Sequence, residues 1–212
     1  MDLPGESRCT SDAAEGLVAL REHIGDCQRC ALGATRTTLV FGVGDPHARL
    51  MFIGEAPGRN EDLKGEPFVG AAGRLLDELL ASIGLARGDV YIANILKCRP
   101  PGNRDPQPAE TEECTQFLDE QVRLINPVVI ATLGNHATHF ILQTERPIGA
   151  LHGRLFHHQG RCVVPIFHPA AALYDRSKAD VLLDDFKRLK SVLDRVADDG
   201  LTCDDGDRSP LL

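Results

Sequence analysis

The chain has 212 residues and a formal net charge of −8, with 42% hydrophobic and 25% charged residues; this suits one domain with a real core and short tails. No run of roughly 18 or more apolar residues occurs, which excludes a membrane-spanning helix. The first residues lack a basic-then-apolar pattern, so no secretory signal is expected, and the overall acidity argues at first against a nucleic-acid partner.

In chain order, residues 1–12 are polar and acidic and read as a tail. A domain over 13–197 follows, and 198–212 reads as a second acidic tail. Ala14, Leu17, Leu20, Arg21 and Ile24 predict a helix at about 12–25. Arg49–Gly54 (RLMFIG) predicts a buried strand, Ala71–Ile83 a helix and Val90–Ile95 (VYIANI) a second strand. Pro108 opens a helix reaching about Ile125. Val128–Leu133 is a third strand, Asn135–Leu142 a short helix and Cys162–Phe167 a fourth strand despite Pro165. His157-His158 reads as an exposed loop tip, and a final helix covers about 180–196. Short apolar strands alternating with helices predict an α/β fold, a three-layer α/β/α sandwich around a four-stranded parallel sheet. In such sheets ligands sit beyond the carboxyl ends of the strands.

The charge is unevenly distributed. Residues 1–26 carry −4, residues 194–212 carry −4, and the 167 residues between them balance 19 acids against 19 bases. The body therefore has room for local basic patches.

Seven cysteines are present: Cys9, Cys27, Cys30, Cys98, Cys114, Cys162 and Cys203. Without an export signal, a metal or redox centre is a better default than disulfides. Cys27 and Cys30 form a C-x2-C pair, which lets two thiolates converge on one metal. Two distant cysteines would complete a four-thiolate site for zinc or an iron–sulfur cluster. The competing reading makes Cys98 and Cys114 small core residues. Cys162 reads as a buried strand residue; Cys9 and Cys203 fall in the tails.

Three loops follow strands. The first, Gly54-Glu55-Ala56-Pro57-Gly58 through Gly70, is glycine-rich and precedes a helix, but lacks the G-x-G-x-x-G spacing of a dinucleotide site. Glu55 and Glu61 are either acid/base groups or solvated charges; Phe68 is either a core plug or a stacking platform. The second, Asn94 through Pro106, ends an apolar strand with an amide and gathers Lys97, Arg99 and Arg104, a pattern suited to phosphate contact. The third places His168 directly after a strand, ahead of Pro169.

Together these segments resemble the uracil-DNA glycosylase superfamily, specifically its iron–sulfur family 4. The matching text is GEAPGRNEDLKGEPFVGAAGRLLDELL (54–80), NILKCRPPGNRDP (94–106) and HPAAAL (168–173), with four cysteines in the same order and a likeness spanning roughly residues 16–196. The resemblance implies a [4Fe–4S] cluster on Cys27, Cys30, Cys98 and Cys114. It implies uracil contacts from Gly54, Glu55, Phe68, Asn94 and His168, with Phe68 stacking on the flipped base, Asn94 reading its Watson–Crick edge and His168 contacting O2. It implies DNA contacts from Arg59, Lys64, Arg99, Asn103 and Arg104, with Leu173 or Tyr174 as a minor-groove wedge. Catalytic roles would fall to Glu55, Glu61, Asn94 and His168. The expected activity is that of a monofunctional base-excision enzyme, a cytoplasmic monomer acting on single- or double-stranded uracil-containing DNA.

Two departures bear on mechanism. Where some superfamily members place a water-activating Asp, this chain has Ala56, so Glu55, Glu61 or electrostatics alone must serve; Glu61 is also a candidate to exclude thymine's methyl group. Cross-linking relatives carry a basic insertion with a reactive histidine, whereas Pro100-Pro101-Gly102-Asn103 is short and lacks one; turnover is expected. Two other classes remain open here: an iron–sulfur electron-transfer protein and a non-catalytic damaged-DNA binder on the same fold.

Overall fold

Leu50–Gly54 and Val129–Leu133 are fully buried and lie side by side as parallel strands. Such strands carry continuous apolar runs because both of their faces are covered. Leu50 and Phe52 enter one apolar cluster with Leu76, Leu80, Phe186 and Leu189, while Met51 and Ile53 enter another with Leu17, Leu118 and Ala137. The alternation along one strand therefore feeds helices on both sides of the sheet.

The computed structural model describes residues 10–198. Its elements are α1 (Thr10–Ile24), β1 (Val43–Gly44), β2 (Leu50–Gly54), α2 (Arg59–Lys64), α3 (Ala71–Ser82), β3 (Tyr91–Asn94), α4 (Pro108–Ile125), β4 (Val129–Leu133), α5 (Asn135–Leu142), α6 (Ile148–Leu151), β5 (Phe156–His158), β6 (Arg161–Ile166), α7 (Ala170–Tyr174) and α8 (Ser177–Asp198). Cys9 and Cys203 lie outside the described residues. Among the described helices none is long and apolar enough to cross a membrane.

The sheet has six strands in the order β1-β3-β2-β4-β6-β5, two more than the four expected. β3, β2, β4 and β6 run parallel, and two short antiparallel edges extend them. β1 has two residues and β5 three, too few to show a periodic pattern. His157 and His158 belong to β5, paired with Cys162 and Arg161, and are not a loop tip. Pro165 is tolerated because β5 pairs β6 only as far as Val163, so no neighbouring strand needs an amide hydrogen from Pro165 on that side. Its carbonyl accepts from the Gly153 amide at 2.9 Å.

Three helices were not anticipated, one of them α6 between α5 and β5. α2 lies within the glycine-rich loop, and α7 directly follows His168 and Pro169. α4 starts at Pro108 as expected, with the Glu110 carboxylate accepting from the Gln107 amide at 2.9 Å.

This topology positions the site. β2 has β3 on one side and β4 on the other, so the chain reverses its winding at β2. That crevice, at the carboxyl ends, is where ligands bind in open parallel sheets. Gly54 and Asn94 are in register there as the last residues of their strands.

Candidate active site

A cleft of about 390 Å³ opens at this edge, lined by Glu55, Arg59, Glu61, Phe68, Asn94, Asn103, Arg104 and His168, among others. It thus brings together all four expected catalytic residues. Lys64, Arg99, Leu173 and Tyr174 are not among its lining residues.

Asn94 is buried, and its Oδ1 has no hydrogen-bond partner. A buried orphan acceptor costs about 1–3 kcal/mol, and one facing a cleft points to a ligand donor. Gly54 is needed beside it for clearance: a Cβ there would collide with Asn94 Oδ1 and come 2.9 Å from the Phe68 ring. The glycine makes room for two side chains, a simpler requirement than cradling a phosphate.

Phe68 is buried and holds φ at 53°, a left-handed conformation that disfavours bulky residues. Arg87 holds it there, donating to the carbonyls of Pro67 (3.1 Å) and Phe68 and bonding Asp77 at 2.5 Å. Gly73 allows the Phe68 carbonyl to approach, since a Cβ would overlap it. From the other side, Glu61 accepts from the amides of Val69 (2.9 Å) and Gly70 (3.0 Å) through one oxygen. Glu61 therefore clasps the Phe68 loop as well as facing the cleft.

The Phe68 and His168 rings stack at 5.5 Å between centroids and 29° between planes. His168 Nδ1 lies 3.1 Å from the Ala170 amide, which donates to it. This places the proton of the neutral ring on Nε2. Burial holds the imidazole below the ordinary histidine range, with the Glu61 carboxylate opposing. His168 is thus poised as a neutral donor.

Glu55 sits near His136 and Asp105, with His136 Nε2 at 3.8 Å from Glu55 and 3.6 Å from Asp105. Burial raises the Glu55 carboxyl above the usual range; His136 lowers it and Asp105 adds to the rise. Sequence reasoning missed His136, because Glu55 follows β2 whereas His136 lies in the first turn of α5, with no motif linking them.

The basic residues divide. Arg59 and Lys64 are exposed on α2. Arg99 donates to Asn103 at 2.7 Å. Arg104 forms a fork to Glu110 at 2.9 and 2.5 Å, so its guanidinium is already engaged. Lys97 corrects the sequence reading outright: it is 1% exposed, with Nζ at 2.8 Å from the Asn94 carbonyl and 2.6 Å from Gln121 Oε1. Burial pushes its ammonium down to about 8, while Cys114 pulls it up. It cannot face a phosphate. Leu173 and Tyr174 are 49% and 92% exposed on α7, beside the cleft's His168 wall.

Behind the β3 end, Cys27, Cys30, Cys98 and Cys114 line one small pocket. Three N–H groups point at sulfur: Arg29 to Cys27 (3.4 Å), Arg36 to Cys98 (3.5 Å) and the Lys97 amide to Cys114 (3.2 Å). Donors to sulfur are what a thiolate centre requires. Among the described residues, the group whose ligand atoms all lie within 4.8 Å of one another is Glu55, Asp105 and His136; the four thiols are more widely spaced. Cys162 is buried in β6, away from them.

Residues 41–195 match the profile of the Uracil DNA glycosylase superfamily. The chain is 48% identical over 183 residues to the Type-4 uracil-DNA glycosylase of Archaeoglobus fulgidus, covering 82% of this chain and 92% of that protein. It is 42% identical over 176 residues to the Type-4 enzyme of Thermotoga maritima, covering 81% and 92%. A Type-5 uracil-DNA glycosylase of Thermus thermophilus is 34% identical over 142 residues, 59% of this chain and 64% of that protein.

Proposed function

The chain belongs to the uracil DNA glycosylase superfamily, and from that footing we propose that it excises uracil from DNA by hydrolysing the N-glycosidic bond, leaving an abasic site for repair. The observation that carries this reading is the orphan Asn94 Oδ1 buried beside the Phe68–His168 stack.

A glycosylase must take its target base out of the stack. Phe68 offers the flipped base an aromatic surface. Uracil presents an N3–H donor and an O4 acceptor, which match the oxygen and N–H of the Asn94 amide. Cytosine presents the opposite pattern and would leave buried polar groups unpaired, at about 1–3 kcal/mol each. As the bond breaks, negative charge develops on the uracil ring and positive charge on the sugar. A neutral His168 donating from Nε2 to O2 stabilises the former without prior protonation.

Glu61 has one oxygen engaged by its loop. Glu55 is the carboxylate we assign to orienting water and offsetting sugar charge. Its raised affinity for a proton suits a general base. Arg59 and Asn103, which line the cleft, would meet phosphates, joined in this reading by Lys64 and Arg99 from outside its lining, and exposed Leu173 and Tyr174 would press into the minor groove. The engaged Arg104 contributes less.

Cys27, Cys30, Cys98 and Cys114 would hold a [4Fe–4S] cluster. A single zinc ion, with Zn–S near about 2.3 Å, would need the sulfurs gathered more tightly. The cluster would supply a structural tie between the end of α1 and the loop after β3. This reading includes a monomer working in the cytoplasm beside the nucleoid, with no membrane partner. The test incubates cluster-loaded protein with a uracil-containing oligonucleotide and cleaves abasic sites with alkali; strand scission supports the reading and its absence defeats it.

A further inference from the structure

Lys97 is fully buried, yet its ammonium meets two neutral oxygens, Asn94 O and Gln121 Oε1, and no carboxylate in its described hydrogen bonds. Gln121 is itself 0% exposed and is held by bonds to the Phe41 carbonyl (2.9 Å) and the Tyr91 hydroxyl (3.3 Å). A buried cation without an anionic partner is strongly disfavoured. The cysteine centre adjoins the same residue, since the Lys97 main-chain N–H donates to Cys114 Sγ at 3.2 Å.

One residue therefore joins two sites. Its amide is on a cysteine sulfur, its ammonium is on the carbonyl of Asn94, and its own carbonyl accepts from the Val40 amide at 2.8 Å. Asn94 ends β3, and the chain beyond it stays tied to the β2 side, with the Ile95 amide donating to the Gly54 carbonyl at 2.9 Å and the Leu96 amide to the Glu55 carbonyl at 3.0 Å; the Lys97 ammonium adds the bond that reaches the Asn94 carbonyl itself. We propose that Lys97 is the positioning residue that couples the four-cysteine centre to the base-reading amide of Asn94. Its amide on Cys114 Sγ and its Nζ on the Asn94 carbonyl tie the sulfur centre to the peptide from which Asn94 projects, alongside the bond from the Ile95 amide to the Gly54 carbonyl.

This inference rests on the uracil-excision reading, so the experiment separates the two. Wild-type, Lys97→Met and Gln121→Glu proteins are prepared with the cluster loaded, checked by visible absorbance. Single-turnover excision, KM and the cluster's midpoint potential are measured for each. Lys97→Met keeps the stem and the amide bond to Cys114 but removes the charge. It is expected to slow excision on the order of 100-fold per loaded molecule while KM stays within about twofold, consistent with loss of precise placement. Its midpoint potential is expected to move negative, because a positive charge has left the cluster's surroundings; a purely packing role would not move it. Gln121→Glu gives the ammonium a carboxylate and draws it from Asn94, and is expected to slow excision at least roughly tenfold. It decides the matter if Lys97→Met fails to accumulate. Wild-type rates per loaded molecule in either variant, or an unmoved potential in Lys97→Met, overturn the coupling. Wild-type protein that loads its cluster and excises nothing overturns the functional reading.

Discussion

The ring of Phe68 stacks on that of His168 at 5.5 Å, although the two residues belong to loops following different strands. This contact joins the glycine-rich loop after β2 to the segment after β6 across the mouth of the crevice. The cleft's aromatic wall therefore depends on how each loop is braced from behind.

Gly73→Ala tests the Phe68 brace. The added methyl overlaps the Phe68 carbonyl, which Arg87 also holds. Excision should fall about 10- to 100-fold, the scale of one lost base–aromatic stack. Arg87→Met, which removes the same brace from its other side, should act in the same direction in a single-turnover assay.

His168 sets the acid limit. Its folded value lies below the ordinary one, so the unfolded chain binds its proton first as pH falls. The stabilisation is complete above about pH 6.5 and is lost as pH drops from there through the folded value. Urea titrations of wild type should show that acid-side loss, and His168→Gln should flatten part of it. His168→Ala should lower the excision rate on the order of 100- to 1000-fold at pH 7.

Asn94→Asp keeps the shape and removes the N–H donor. The rate on uracil should fall at least roughly tenfold, with cluster absorbance unchanged. An unaltered rate would remove Asn94 from base reading.

Asp185 tests the support behind the His168 segment. It is 1% exposed, accepts from His152 Nδ1 at 2.9 Å, and its carboxyl is raised by burial, with His152 opposing. The His152 ring packs at 4.5 Å on Phe167, the neighbour of His168. Asp185→Ala should cost about 3 kcal/mol by equilibrium unfolding, as for breaking a buried pair.

The parallel strands were legible because each is a run of apolar residues between turn signals; the nearness of Asn94 and His168 followed from loops at strand ends, and Phe68 joined them only through the family resemblance. β1 and β5 were not legible, because two or three residues carry no period. Lys97 misled for a physical reason: composition counts a charge without showing which way its stem turns, and the buried acceptors Asn94 O and Gln121 lie 3 and 24 residues away. Arg104 misled similarly, its partner Glu110 being hidden in the start of α4. Phe68's left-handed backbone and the approach of His136 to Glu55 depend on tertiary contacts that no local pattern encodes.

The most direct measurement is base release by cluster-loaded protein from single-stranded U, U:G, U:A and T:G oligonucleotides, read as alkali-labile scission. The account predicts scission of the uracil substrates at the uracil position and none of T:G, where thymine adds a methyl group to the same hydrogen-bonding edge. Intact uracil strands would contradict it.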